Sequence, residues 1–316
     1  MNYQLFYDVF GLNIPVWLLA LAPLFISFFT SMGGISGAFI LLPFQVSVLG
    51  ITSPSVSSTN HLFNVIAIPG GVIRYIREGR MFWQLAWIIL IGTLPGVFVG
   101  TLFRLHFLSN PLYFKAFVGC VLLYIGARLA WGIVSNRKSS ASTESRFRQI
   151  AFNNKNITDR TAQILPKVII KEITLKRMEY EFCDEKYIVP VMPIFLLSLI
   201  IGLIGGAYGI GGGAIMAPLL VAIYRLPIYT TAGATLFGTF ITSITGVAFY
   251  QILSPYYPSL SVSPDWLLGI CLGVGGLLGT YLGARFQKYM PANLIKILLA
   301  GAILFLAVKY ILTLVF

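Results

Sequence analysis

Long apolar runs alternate along this chain with short polar links, and the length of each run sets what it can form. A helix that crosses about 30 Å of hydrocarbon needs about 20 apolar residues. Runs of that order predict spans at 14–31, 56–76, 82–104, 112–134, 188–206, 229–252, 265–285 and 292–314. Two further runs, 35–50 and 210–224, are short for a full crossing. Each follows a glycine cluster and contains a proline, Pro43 or Pro218, so each predicts a short or broken helix. The run beginning at Val16 has no basic flank before it and no small-residue cleavage site after it, which predicts a retained helix and not a removed signal peptide. Segment 136–187 breaks the pattern: it is polar, Ser-rich at its start, and alternates with period two around Met178, Tyr180 and Phe182. That alternation predicts a small hairpin or strand pair inside a polar insertion.

Composition agrees with the run lengths. The 316 residues are 57% hydrophobic and only 10% charged, against about 25% charged in a soluble domain. A chain this apolar cannot cover a water-facing surface, so the class is an all-α integral membrane protein. The net charge of +12 does not indicate nucleic acid, because half of the basic residues, 11 of 22, lie in segment 136–187 with 7 of the 10 acids. The apolar remainder holds only three acids: Asp8, Glu78 and Asp265. None lies deep in an apolar run, whereas pumps and cation carriers place carboxylates there; an anionic or neutral solute is the better expectation. Cys120, Cys183 and Cys271 have no metal-ligand or redox spacing, so no cofactor or metal is expected.

The apolar part is duplicated. Residues 34–43 read GISGAFILLP and 209–218 read GIGGGAIMAP, with five of ten positions identical at a constant offset of 175. The same offset pairs Gly71-Val72 with Gly246-Val247 and Tyr75 with Tyr250, and Gly96, Gly100 and Thr101 are answered by Gly275, Gly279 and Thr280. Ordered glycine and proline matches favour duplication over chance likeness between apolar segments. The expected units are a first repeat at 1–135, a central insertion at 136–187 and a second repeat at 188–316. If both short runs cross, each half has five passes and the halves are inverted. Arg74, Arg77, Arg80, Arg225, Arg285 and Lys288 then fall on the cytoplasmic side with the insertion, as the positive-inside rule asks. Four passes per half would reverse that bias; Arg104, Lys115 and Lys309 fit the five-plus-five reading less well. The arginines at the links are read as orientation signals and lipid head-group contacts.

These features together resemble a known family. A GxGGG run leading to a proline, then a Ser/Thr-rich helix, a short basic link and a GxxxG helix, all occurring twice, is similar to the TauE/SafE sulfite exporter family. The likeness is closest at 209–218 and looser at 34–43, where Ser36 and Ala38 stand at glycine positions. The stretch REGRMFW at 77–83 resembles the family's link between main helices, and segment 136–187 stands outside the shared pattern. The resemblance implies a multi-pass cell-membrane transporter of small sulfur-containing or organic oxyanions such as sulfite, thiosulfate or sulfoacetate.

The residues themselves suggest where an anion would sit. Irregular backbone at membrane depth is tolerated only inside protein or beside a water-filled cavity. A glycine turn that opens a short helix presents free N–H groups and the positive end of a helix dipole, which suits an oxyanion. Gly33, Gly34, Ser36 and Gly37 with Gly209, Gly211, Gly212 and Gly213 form the candidate cradle. Gly96, Gly100, Gly275 and Gly279 read instead as close-packing positions. The helix after each short run begins polar, and Asn60 with Asn64, and Thr235 with Thr239, lie four apart on one face. They suit either anion donors or helix–helix hydrogen bonds. His61 suits an anion, a proton step or polar packing, with Asn60 and Asn64 beside it. No HExxH, GxSxG or P-loop is present, so neither an intramembrane enzyme nor direct ATP drive is expected. The leading function is a secondary carrier with lipid and a small oxyanion as its partners; an anion channel of the same fold is the alternative, and a membrane anchor acting through the insertion a further one.

Overall fold

The computed structural model describes residues 6–9, 12–134, 139–156 and 166–315. A short antiparallel pair, β1 (Phe6–Val9) and β2 (Leu12–Pro15), precedes helix α1 (Val16–Met32). The first half continues with α2 (Ala38–Ser47), α3 (Ser55–Arg77), α4 (Trp83–His106) and α5 (Pro111–Val134). The second half contains α7 (Val191–Tyr208), α8 (Gly213–Ile223), α9 (Ile228–Leu253), α10 (Trp266–Phe286) and α11 (Ala292–Val315). Among the described residues six helices are long and apolar enough to cross a membrane: α4, α5, α7, α9, α10 and α11. Large apolar side chains such as Trp87, Trp131 and Phe305 are exposed on these helices, as a lipid-facing surface requires. The protein is a multi-pass cell-membrane protein.

The two short runs are short helices, as their prolines predict. A proline in a helix interior leaves the carbonyl four residues earlier without its N–H donor. For Pro43 that carbonyl is Phe39 O, and the hydroxyl of Tyr208, fully buried, donates to it at 3.0 Å. The break in α2 is thus closed by a side chain from the other half.

The offset of 175 reappears in the backbone. Gly34 and Gly209 take left-handed φ values of 72° and 84°, and Gly50 and Arg225 take 70° and 57°. Ile35 N donates to Thr30 O, as Ile210 N does to Gly205 O; Ile51 N donates to Gln45 O, as Leu226 N does to Leu220 O. Tyr75 donates its hydroxyl to Ser31 O and Tyr250 to Gly206 O. Helices exchange between the halves: α1 packs on α10, α7 on α4, and α5 on α11, with α3 against α9 at the centre.

The glycines of the two GxxxG runs make that exchange. A Cβ on Gly96 or Gly100 would meet the backbone of Leu199, Leu203 or Ala207 in α7, and one on Gly275 or Gly279 the backbone of Ala20 or Leu24 in α1. Backbones this close exclude any side chain. Gly100→Ile is therefore expected to prevent accumulation of monodisperse protein in the membrane. Gly301→Ile, where an added Cβ meets nothing within 4 Å, is expected to leave it unchanged. Size-exclusion profiles of fluorescent fusions make the comparison.

The insertion differs from its sequence reading in two ways. Its sheet has three antiparallel strands, β3 (Ile169–Ile173), β4 (Arg177–Phe182) and β5 (Glu185–Pro190), so the last strand runs up to the start of α7. It also contains a helix, α6 (Ser139–Asn156), where only a polar segment is predicted; residues 157–165 lie outside the described residues. Among the described side chains, the buried positions of α6 are Thr143, Glu144, Phe147 and Ala151, a narrow stripe with only two apolar residues and so no apolar run.

The insertion seats on one end of the bundle. Phe147 packs on Tyr229 with ring centroids 4.7 Å apart, Tyr180 on Phe82 at 4.8 Å, and the Tyr180 hydroxyl lies 3.3 Å from Thr230 Oγ1. Glu144 accepts from Ile228 N at 3.3 Å and pairs with Lys296 at 3.3 Å. Burial raises the Glu144 carboxyl above its ordinary value, while Lys296 and the Ile228 amide act the other way. A carboxyl that holds its proton more tightly when folded contributes stability below its ordinary value and loses it as pH rises through the raised one. Protection of the insertion from proteolysis is accordingly expected to weaken as pH rises across that window. Glu144→Gln is expected to flatten the dependence; an unchanged slope in this variant would assign it to other groups.

Candidate functional site

The site is assembled where the two glycine turns meet the polar starts of α3 and α9. Each turn closes the preceding helix with a left-handed glycine, which needs no Cβ in that conformation. At Gly34 a Cβ would also fall 2.5 Å from Ala232 Cα, so the turn is pressed against α9. Thr235 donates its hydroxyl to Gly34 O at 2.9 Å, tying the first turn to the second half.

Asn64 is the hub. Its Oδ1 accepts from the Ser36 hydroxyl, and its Nδ2 donates to Ile210 O at 3.0 Å and to Ser243 Oγ at 3.1 Å. One side chain thereby holds both glycine turns. Ser36 Oγ also accepts from Ala38 N at 3.1 Å at the start of α2. Gly211 sits against Thr239 and Ser243, and Gly212 N donates to Thr242 Oγ1 at 3.1 Å. A Cβ on Gly213 would collide with the backbone of Thr235 and Thr239 in α9. His61 joins the cluster through Nδ1, 3.4 Å from Ser243 Oγ, in space left open by Gly246. No hydrogen bond from the amides of Ser36, Gly37, Gly211 or Gly213 is found among the described residues. These four donors, two at the start of each short helix, are the groups with capacity to spare.

Other predicted residues stand apart from this centre. Gly33 N donates to Thr30 O, and the residue borders a separate small cavity with Ile35, Leu129, Pro218, Ile228 and Lys296. Gly209 caps α7 and lies against the Ser57 backbone. Asn60 donates to Ala38 O at 3.0 Å and accepts from Gln45 Nε2 at 3.1 Å, bonds that stay within the first half. Thr239, by contrast, lies against Gly211 and Gly213 at the centre, although its hydroxyl donates to Thr235 O in its own helix. All thirteen predicted residues are buried, and the polar side chains at the centre are bonded to one another. The site is closed on every side in this conformation.

Arg80 differs from its reading as an orientation signal and lipid contact, and Arg104, which fits the five-plus-five topology less well, is buried too. Arg80 is 3% exposed: it donates to Gln287 Oε1 at 2.6 Å and Ala284 O at 2.7 Å and pairs with Glu78 at 2.7 Å, locking the α3–α4 link to the end of α10. A single charge beside an apolar run says nothing of the carbonyls that await it, so the signal read only as topology. Arg104 is 0% exposed and lies one contact from the second turn: its Nε donates to Ser57 Oγ at 3.3 Å, and Ser57 donates to Ala207 O at 3.1 Å. Among the described residues no group of three or more His, Cys, Asp or Glu could hold a metal.

Comparison with known proteins places the chain among membrane transporters. The profile of the family described as "Sulfite exporter TauE/SafE" matches residues 19–310. The "Probable membrane transporter protein YunE" of Bacillus subtilis (strain 168) is 22% identical over 278 residues, 85% of this chain and 87% of that protein. The "Probable membrane transporter protein YdhB" of the same organism is 30% identical over 117 residues, 37% of this chain and 44% of that protein, so that match spans less than half of the relative. No solved structure matches the chain.

Proposed function

The chain belongs to the TauE/SafE sulfite exporter family, and from that premise we propose that it is a secondary carrier of a small sulfur-containing or organic oxyanion, of which sulfite, thiosulfate and sulfoacetate are the candidates. The observation that carries the reading is the meeting of two glycine turns around Asn64, with unspent main-chain amides at the start of α2 and α8. Amides there meet an anion with the positive ends of two helix dipoles and without a full positive charge that would hold it too tightly to release. Inverted halves would place the two turns face to face near the midplane, as in other repeat carriers. The exchanged packing of α1 on α10 and α7 on α4 supports that arrangement.

In this reading the closed conformation is the occluded one, and Ser36, Asn64 and Ser243 turn from each other to the substrate when one half rocks against the other. The insertion then lies at the cytoplasmic end. Proteoliposomes loaded with unlabelled thiosulfate and given labelled thiosulfate outside test the proposal: a carrier accelerates uptake by counterflow, whereas a pore of the same fold does not. The anchor reading requires loss of all function when the insertion is deleted, and the carrier reading does not.

A further inference from the structure

We propose that Arg104 is a second anion-binding position, a staging site beside the second glycine turn. Its guanidinium is fully buried near the end of α4, about 30 Å or more from the Phe82 end where the insertion seats, since α4 has 24 residues at about 1.5 Å each. Only Nε has a polar partner, the Ser57 hydroxyl, and both terminal nitrogens, Nη1 and Nη2, are buried without one. The guanidinium carbon stacks 3.7 Å from the centroid of Phe114, which covers one face, and the edge of the fork has no polar partner. Among the described residues no carboxylate pairs with it. Glu78 is held at the other end of the bundle by Arg74, Arg80 and Lys288, and Asp265 accepts from Leu268 N at the start of α10.

A buried charge without a partner is strongly unfavourable, and such groups are found paired or at functional positions. The two free nitrogens form a planar fork that takes two oxygens of one sulfur oxyanion or carboxylate at once. Ser57 supplies a hydroxyl beside it and connects directly to the second turn: Ser57 Oγ donates to Ala207 O, and Gly209 lies against the Ser57 backbone. An anion on this fork stands next to the proposed central site, on the side away from the insertion. The link 254–264 lies at the same end of α3, with Val262 O and Ser261 O tied to Ser58 and Ser55. The inference rests on the reading that the chain moves an oxyanion.

The test uses the full-length protein in detergent and in proteoliposomes. Thermal unfolding is followed with sodium thiosulfate, and with sodium sulfate, against sodium chloride at matched ionic strength. Wild type is expected to unfold at a higher temperature in the divalent oxyanions. Arg104→Met, which removes an uncompensated buried charge, is expected to unfold at a higher temperature than wild type in chloride and to lose most of the oxyanion-dependent shift. In thiosulfate uptake the variant is expected to raise KM at least about tenfold with kcat kept within about twofold, which a merely structural role would not do. Arg104→Lys keeps the charge without the fork and is expected to give the same KM effect; it decides the matter if the methionine variant does not fold. An oxyanion shift and KM that are unchanged in both variants overturn the inference, as does the absence of any shift in wild type. A shift that depends on Arg104, with no thiosulfate flux in wild type, sinks the transport reading and leaves the binding site standing.

Discussion

Asn64→Leu is expected to lower thiosulfate affinity by at least about a hundredfold, the equivalent of about 2.8 kcal/mol. The change removes the one side chain that holds Ser36, Ile210 O and Ser243 together. It also leaves buried polar groups unpaired, at about 1–3 kcal/mol each, so the folded protein is expected to unfold at a lower temperature as well. Equilibrium binding of labelled thiosulfate to the monodisperse fraction separates the two effects. Lower stability with unaltered affinity would reduce Asn64 to a packing residue.

Gly211→Leu is expected to abolish uptake altogether. Gly211 has φ +74°, a conformation strained for any other residue. A Cβ there would fall 2.8 Å from Ser243 Oγ, 2.9 Å from Thr239 Cγ2 and 3.0 Å from Thr239 O, in the middle of the proposed cradle. A leucine therefore pushes Ser243 and Thr239 away and turns the neighbouring amides aside. Gly211→Ala carries most of the backbone strain and far less volume. Its expected phenotype is reduced stability with measurable uptake. If alanine and leucine are equally inactive in well-folded protein, the effect belongs to backbone strain and not to the lost space.

Much of this architecture is legible in the residues alone, for physical reasons that can be named. Helices in hydrocarbon must satisfy every backbone group within the segment, so apolar run length predicts α4, α5 and α9 through α11 to within a few residues. Glycine and proline predict α2 and α8, because Pro43 and Pro218 sit inside runs too short to cross. The duplication is visible because Gly34 and Gly209 need left-handed backbone that other residues rarely adopt. At the same offset Asn60 and Asn64 answer Thr235 and Thr239, a pairing that would have shown the first half carrying amides where the second carries hydroxyls.

What stays hidden depends on contacts between distant segments. Nothing in the sequence says that Asn64 reaches Ile210, or that Thr235 reaches Gly34, across the two halves. Arg104 shows in the sequence only as a charge that fits the five-plus-five topology less well; its burial is what marks it out. Helix α6 is missed because only two of its buried residues, Phe147 and Ala151, are apolar, and the others include Glu144, whose pairing with Lys296 joins two parts of the chain 152 residues apart.

The central claim is that main-chain amides of the two glycine turns hold the substrate. A structure of the protein crystallised with thiosulfate, with its sulfur atoms located by anomalous scattering, tests this most directly. The expected result is a sulfur peak between the turns, with oxygens within hydrogen-bond distance of the Ser36, Gly37, Gly211 or Gly213 amides. Thiosulfate bound only elsewhere, the Arg104 fork included, with those turns still bonded to each other through Asn64, would contradict it.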